Sequence, residues 1–181
     1  ATAIRPAPDS PVVGVTWHNA QAYCAWLGEQ TGLPWRLPGE IEREKAARGV
    51  DARPFPWGDH ADSAFHCMQD SPLTLAGPPS TAAFEVDSSP YGIMGLAGGV
   101  QEWCADAWRP QGPERRGSRA LAPSPPTAAE LLPAPHEPRR VVRGGAWNLS
   151  ARVARCASRS AVRASRPADN LGFRICRSID L

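Results

Sequence analysis

The chain has 181 residues, 42% of them hydrophobic and 21% charged, with 20 basic against 18 acidic side chains and a net charge of +2. That balance suits one well-buried globular domain and excludes nucleic acid as an obligate partner. No apolar run reaches membrane-spanning length and no basic-then-apolar leader opens the chain, so a cytoplasmic protein is the default expectation.

Five cysteines, an odd number without close CxxC pairs, argue against a disulfide framework or a zinc site. Lys45 is the only lysine, so nearly all positive charge sits on arginine. In chain order, the proline-bearing stretch 1–10 reads as an extended lead-in, and Pro11 to Val15 as a short strand. Thr16 is a good N-cap for a helix running to about Gln30, with Ala20, Tyr23, Cys24 and Leu27 on one face and Gly32 as its stop. A second helix is expected over about Gly39 to Arg48. Glu40, Glu42 and Glu44 come early in it and Lys45 and Arg48 late, an order that complements the helix dipole, with Gly49 beyond. Those carboxylates are expected to form a solvated face.

From Asp51 to Ser89 helical periodicity is lost and turn residues dominate. Tyr91 to Cys104 follows, with a glycine-rich turn entering a strand. Residues 109–138, rich in Pro, Ala, Arg and Ser, form an insertion expected to drape over the surface, with a helical turn only at Ala128 to Leu132. Val141 to Cys176 closes the chain. It has Arg143-Gly144-Gly145-Ala146-Trp147 at one end, Leu171-Gly172-Phe173-Arg174 at the other, and small residues and arginines between them. Poor in long apolar side chains and lacking sustained periodicity, most of this segment is expected to be loop on a scaffold, ending in a strand through Phe173 to Cys176.

Taken together, Ala20-Gln21-Ala22-Tyr23-Cys24-Ala25-Trp26-Leu27, Arg36-Leu37-Pro38 with Glu40 and Glu42, Ala46-Ala47-Arg48-Gly49, Pro56-Trp57-Gly58-Asp59, Glu102-Trp103, Arg143-Gly144-Gly145 and Gly172-Phe173-Arg174 occur in an order that resembles the formylglycine-generating enzyme (sulfatase-modifying factor) family. The resemblance implies an α+β C-type lectin-like fold, with two helices, a small twisted antiparallel sheet and much irregular chain. It would form one domain over 1–181, and the family's opening strands are not visible before Pro11. It also implies that the terminal strand lies near the first helix, which sets Cys24 close to Cys176. A disulfide between them follows if their Cα atoms fall within bonding range. Cys156 is expected to remain a free, buried thiol.

The enzymes of the family hold copper through two cysteines just after the RGG block, since Cu(I) prefers sulfur. The matching stretch here, Trp147 to Ala154, contains no cysteine, so copper and formylglycine formation are not expected. An iron site like that of the related sulfoxide synthases needs converging histidines. His18, His60, His66 and His136 are scattered and expected to be solvated. The family's calcium turn survives only as Gly98-Gly99-Val100-Gln101-Glu102-Trp103, with Gly99 in place of asparagine, and Glu102 is expected to bond within the core.

Another branch of the same fold comprises the variable proteins of diversity-generating retroelements. There the codons between an RGG-type and a GFR block are rewritten at adenines, which cannot yield Lys, Glu, Gln, Met or Trp from AAC. None of those five residues occurs from Asn148 to Arg174. The resemblance marks 143–174 as the variable region. It implies a ligand surface of Trp147, Asn148, Leu149, Ser150, Val153, Ser158, Ser160, Ala161, Val162, Ser165, Ala168, Asp169 and Asn170, and a non-catalytic role in binding a protein ligand. Arg152, Arg155, Arg159, Arg163 and Arg166 are suited to holding the loop backbone through their guanidinium forks, a role weighed equally with that of simple exposed arginines in an Arg-rich chain.

Overall fold

Thr16 starts the first helix in the computed structural model, which describes residues 8–72, 77–117, 119–132, 134 and 137–178. Most of the expected lead-in, residues 1–7, lies outside that set, as does His136. Helix α1 spans Trp17–Thr31. The Thr16 Oγ1 accepts from the Asn19 N–H at 3.0 Å while the Asn19 Oδ1 accepts from the Thr16 N–H at 3.1 Å, so two otherwise orphaned donors are satisfied reciprocally. Trp17, Ala20, Gln21 and Cys24 form its buried stripe, and Gly32 caps it in the left-handed region. The expected strand at Pro11 to Val15 is absent. Gly14 sits at φ 73°, a turn conformation that breaks an extended run, and its N–H bonds the Ala168 carbonyl at 2.9 Å instead of a ladder partner.

Helix α2 spans Glu40–Arg48. The Glu42 carboxylate accepts from the Gly39 N–H at 2.7 Å and from both terminal nitrogens of Arg36, at 2.6 and 2.7 Å. The expected solvated face holds only in part, since Glu42 and Glu44 are half-buried and Glu40 is fully buried. Glu40 and Arg43 are buried along with Ala47, at helical spacing, because α2 turns this side toward the sheet.

The main sheet has β1 (Gln101–Ala107), β4 (Arg139–Arg143), β5 (Arg159–Arg163) and β6 (Leu171–Phe173) in the order β5-β4-β1-β6. β1–β4 and β4–β5 are antiparallel, whereas β6 joins β1 in parallel, so the sheet is mixed. A register shift in β1 between Trp103 and Ala107 bends the strand. β5 lies within the segment expected to be mostly loop. Its backbone is satisfied by five-residue pairing with β4, a non-local partner that outweighs its weak apolar pattern. β6 stops at Phe173, short of the strand expected through Cys176, and beyond it the Cys176 backbone makes only an isolated bridge to Arg36 through two 2.9 Å bonds.

Trp17, Ala20, Cys24, Leu37, Trp103, Val142, Ala164 and Leu171 make the principal core between α1 and the sheet. Two indoles tie the layers: the Trp17 Nε1 donates to the Cys104 carbonyl and the Trp103 Nε1 to the Val15 carbonyl, each at 3.0 Å. Tyr23 of α1 meets Phe173 of β6 edge-on at 5.5 Å, which places the last strand beside the first helix.

The described residues of 109–138 are mostly exposed, and they carry one feature their composition hides, a two-strand ribbon of β2 (Arg115–Arg116) and β3 (Arg119–Ala120). Two glutamates pin the far end of this stretch. Glu130 pairs with Arg140 at 2.8 Å, and Glu137 accepts from His18 at 3.0 Å and from the Ser165 N–H at 2.7 Å.

Candidate functional site

The segment 143–174 is held at its two ends by buried ion pairs rather than by apolar packing. Arg143 is 1% exposed. Its Nη1 donates to the Cys156 and Ser158 carbonyls at 3.0 and 3.2 Å, and its Nη2 pairs with Glu44 at 2.8 Å and lies 3.5 Å from Glu40. At the other end Arg174 straddles Glu102, with Nε 2.9 Å from each oxygen and Nη2 at 2.6 Å. Arg43 approaches the same carboxylate at 2.9 Å and donates to the Leu96 carbonyl at 2.7 Å. Burial alone would raise the Glu102 carboxyl. Arg174 and Arg43 together hold it below the usual carboxylate range. Glu102 is thus bonded within the core, as its place beside Trp103 suggested.

Backbone proximity adds to the clamp. A Cβ on Gly145 would collide with Met68 and the Ala97 carbonyl, and one on Gly172 with the Val12 carbonyl. Both positions need glycine for close approach.

Between the clamps, residues alternate between pegs and surface. Ala154, Cys156 and Ala164 are buried, and none of the thirteen residues expected at the ligand surface is. Ser150, Ser165 and Asp169 are exposed; Trp147, Asn148, Leu149, Val153, Ser158, Ser160, Ala161, Val162, Ala168 and Asn170 are half-buried. Ala161, Val162, Ala168 and Asn170 come together around a concavity of about 290 Å³, whose rim is completed by Gln101, Arg139, Arg163 and Arg166. The Asn170 amide donates to the Asn148 Oδ1 at 2.7 Å, which joins the two ends of the segment. Leu149 and Val153 pack elsewhere, with Phe55, Trp57, Met68 and Ala154. Trp147 bonds the Gly99 carbonyl through its N–H at 2.9 Å, and its indole Nε1 is buried without a partner among the described residues.

The five arginines divide between the two readings. Of the five, Arg159 alone is drawn inward, through two bonds to Glu40 and two to the Arg109 carbonyl, with its guanidinium 4.4 Å from the Trp108 ring centroid. Arg152, Arg155, Arg163 and Arg166 are exposed. Arg143 bonds the loop carbonyls of Cys156 and Ser158 instead, while Arg174 reaches the Met94 and Gly95 carbonyls outside the segment. Arg139 and Gln101 were missed because they lie outside the segment and reach the concavity only through sheet pairing.

The cysteines do not fit copper. The stretch 147–154, where the family's copper cysteines would stand, holds none, and the five cysteines lie elsewhere; burial pushes the thiols of Cys24, Cys67 and Cys156 up to about 11, and that of Cys104 higher still. Cys24 and Cys176 lie near enough for Cys176 to add to the rise at Cys24, yet both are free thiols, and the Cys176 Sγ accepts from Arg36 at 3.2 Å.

Calcium fits no better, because both oxygens of Glu102 face arginines and both of Asp87 accept N–H groups of residues 96–98. Histidines were expected in solvent, but His66 is 1% exposed and stacked on Trp57 at 5.6 Å, and His18 is half-buried against Glu137. Among the described residues no group of three or more His, Cys, Asp or Glu is placed to hold a metal ion, and no helix is long and apolar enough to cross a membrane.

Two helices against a curled mixed sheet, with long irregular connections carrying the surface, define the C-type lectin-like fold of formylglycine-generating type. Two solved structures share it. PvdO from Pseudomonas aeruginosa matches with a TM-score of 0.78 at 24% identity, over 97% of this chain and 64% of that one. Treponema denticola variable protein 1 matches with a TM-score of 0.74 at 22% identity, over 98% and 74%. The chain belongs to the sulfatase-modifying factor enzyme 1-like domain family, whose model matches residues 1–179.

Similar curated proteins divide in function by their names. A formylglycine-generating enzyme of Bos taurus is 32% identical over 92% of this chain and 44% of its own length. An inactive C-alpha-formylglycine-generating enzyme 2 of Mus musculus is 31% identical over 97% and 51%. Serine/threonine-protein kinase pkn1 of Chlamydia pneumoniae is 32% identical over 94% of this chain and 24% of its own. The chain therefore spans from about a quarter to about half the length of these relatives.

Proposed function

We propose that this is a non-catalytic ligand-binding domain, the variable protein of a diversity-generating retroelement, which displays residues 148–170 to a protein ligand. The observation that carries the reading is the division of labour along the segment. Arg143, Gly145, Gly172 and Arg174 are clamped, Ala154, Cys156 and Ala164 are pegged into the interior, and the thirteen residues between face outward in whole or part. A surface built so tolerates change without loss of its scaffold. The five residue types missing from Asn148 to Arg174 support the same reading. So do the inactive relative and the structural likeness to a variable protein. A cytoplasmic location belongs to this proposal and suits the five free thiols.

The competing reading, a formylglycine-generating oxidase, has the Bos taurus relative in its favour and the lack of any cysteine from Trp147 to Ala154 against it. Sequencing the DNA around this gene in many cells of one culture tests the proposal. A near-copy of the 143–174 coding region, differing only where the copy has adenine, is the expected result. Absence of any copy together with identical 148–170 sequences in all cells would sink it. Copper uptake with oxygen consumption on a cysteine peptide would establish the oxidase instead.

A further inference from the structure

At the open edge of the sheet Arg139 and Arg163 are directly opposed residues of β4 and β5. Directly opposed side chains lie on the same face, close together, so two like charges here repel. Arg166 stands on the rim of the same 290 Å³ concavity, two residues before Ala168 on its wall. All three arginines are exposed, and among the described residues none of the three has an ion-pair partner, although nine other arginines do. No Asp or Glu lines the concavity. Its remaining polar groups are the amides of Gln101 and Asn170, and Ala161, Val162, Ala168 and Leu171 supply an apolar wall. Glu137, the acid bonded to the Ser165 N–H, is turned to His18, and Asp169 is exposed outside the lining. Three guanidinium groups left without counter-charge around an apolar-walled hollow are complementary to an anion with a short aliphatic stem.

We infer that this concavity receives carboxylate side chains from an acidic segment of the protein ligand. The inference rests on the reading of 148–170 as a ligand surface and gives that surface its chemistry. Volume selects side chains over a whole cofactor, since small-ligand pockets run from about 300 to 1,000 Å³ and this one lies at the lower limit. The planar guanidinium fork matches a carboxylate through two parallel hydrogen bonds, while the alanine and valine wall accommodates the methylene carbons of Glu. Arg139 lies before the segment and belongs to the scaffold strand β4, so part of the positive charge persists whatever occupies the neighbouring positions.

The test is binding of a hexaglutamate peptide to the whole chain by isothermal titration or NMR shift mapping, with hexaserine as control and inorganic phosphate as competitor. Arg163→Ala with Arg166→Ala is compared with Arg152→Ala and Arg155→Ala, exposed arginines outside the concavity that remove the same charge. The expected result is saturable hexaglutamate binding that falls at least about tenfold in the first pair and less than about twofold in the second. Arg163→Lys with Arg166→Lys, which keeps the charge and loses the fork, should fall between them, and this guards against a misfolded alanine variant. Equal losses in both alanine pairs would overturn the site in favour of diffuse electrostatics. Displacement of the peptide by phosphate at equal concentration would overturn the acidic-segment assignment. A negative outcome here leaves the DNA test untouched, and a uniform gene would leave carboxylate binding standing, so the two proposals fail separately.

Discussion

Arg159 grips Glu40 through Nε at 2.6 Å and Nη2 at 2.9 Å, across 119 residues of chain. Glu40 is fully buried at the start of α2, so this bond fixes the edge strand β5 to the helix on which the Arg143 clamp also depends. Removing the carboxylate costs the partly buried Arg159 its ion pair and leaves the buried Arg143 with Glu44 as its one acidic partner. Glu40→Ala should destabilise by about 3–5 kcal/mol, and Arg159→Lys, which keeps charge but loses the fork, by less. Urea-unfolding midpoints at constant slope measure both. A shift in Glu40→Ala no larger than that of an exposed-site control would show the network to be dispensable.

Gly145→Ala and Gly172→Ala should each cost more than about 2 kcal/mol or prevent soluble expression, because the added Cβ meets backbone carbonyl oxygen that cannot move aside cheaply. Thermal denaturation of the two variants, with Ser165→Ala as reference, decides. Wild-type melting temperatures would mean that the RGG and GFR blocks are not close-approach points.

Asp87 should leave a signature in acid. Burial pushes its carboxyl from 3.8 up to about 6, against the pull of the Gly98, Ala97 and Leu96 N–H groups and Arg43. With the folded value above the unfolded one, the chain binds this proton more tightly when folded. The associated stability is complete below about pH 3.8 and is lost as pH rises through about 6. Asp87→Asn stays neutral, so the wild type should lose ground to it over that window by at most about 3 kcal/mol. Paired unfolding curves at several pH values test the sign. A wild type that gains on the variant as pH rises would refute it.

The thirteen outward residues should not be equally free. Ser165→Tyr and Asp169→Tyr, at exposed positions, should change stability by under about 0.5 kcal/mol. Leu149→Ala uncovers Phe55 and Met68 and should cost about 1–3 kcal/mol. Equal tolerance at all three positions, read from chemical denaturation, would contradict the packing.

Much of the frame was legible in residue order because its causes are local. Thr16 with Asn19, Gly32 and Gly49 mark helix ends through bonds that close within four residues. Glu102 beside Trp103 and the blocks at Arg143 and Gly172 mark the core and the ends of the outward segment. Acidic spacing on α2 could not reveal that Glu40 is buried, because its partners Arg159 and Arg143 lie more than a hundred residues away.

The amino-acid sequence by itself determined the family, the two helices and the irregular middle of the chain, all carried by short-range signals or by motif order. The tertiary structure alone decided that 159–163 is a strand, that β6 runs parallel to β1, and that Arg139, Arg163 and Arg166 surround one hollow with Gln101 and Asn170. Those outcomes depend on which distant backbones pair and which charges are left without a counter-ion. Neither is encoded in any window of neighbouring residues.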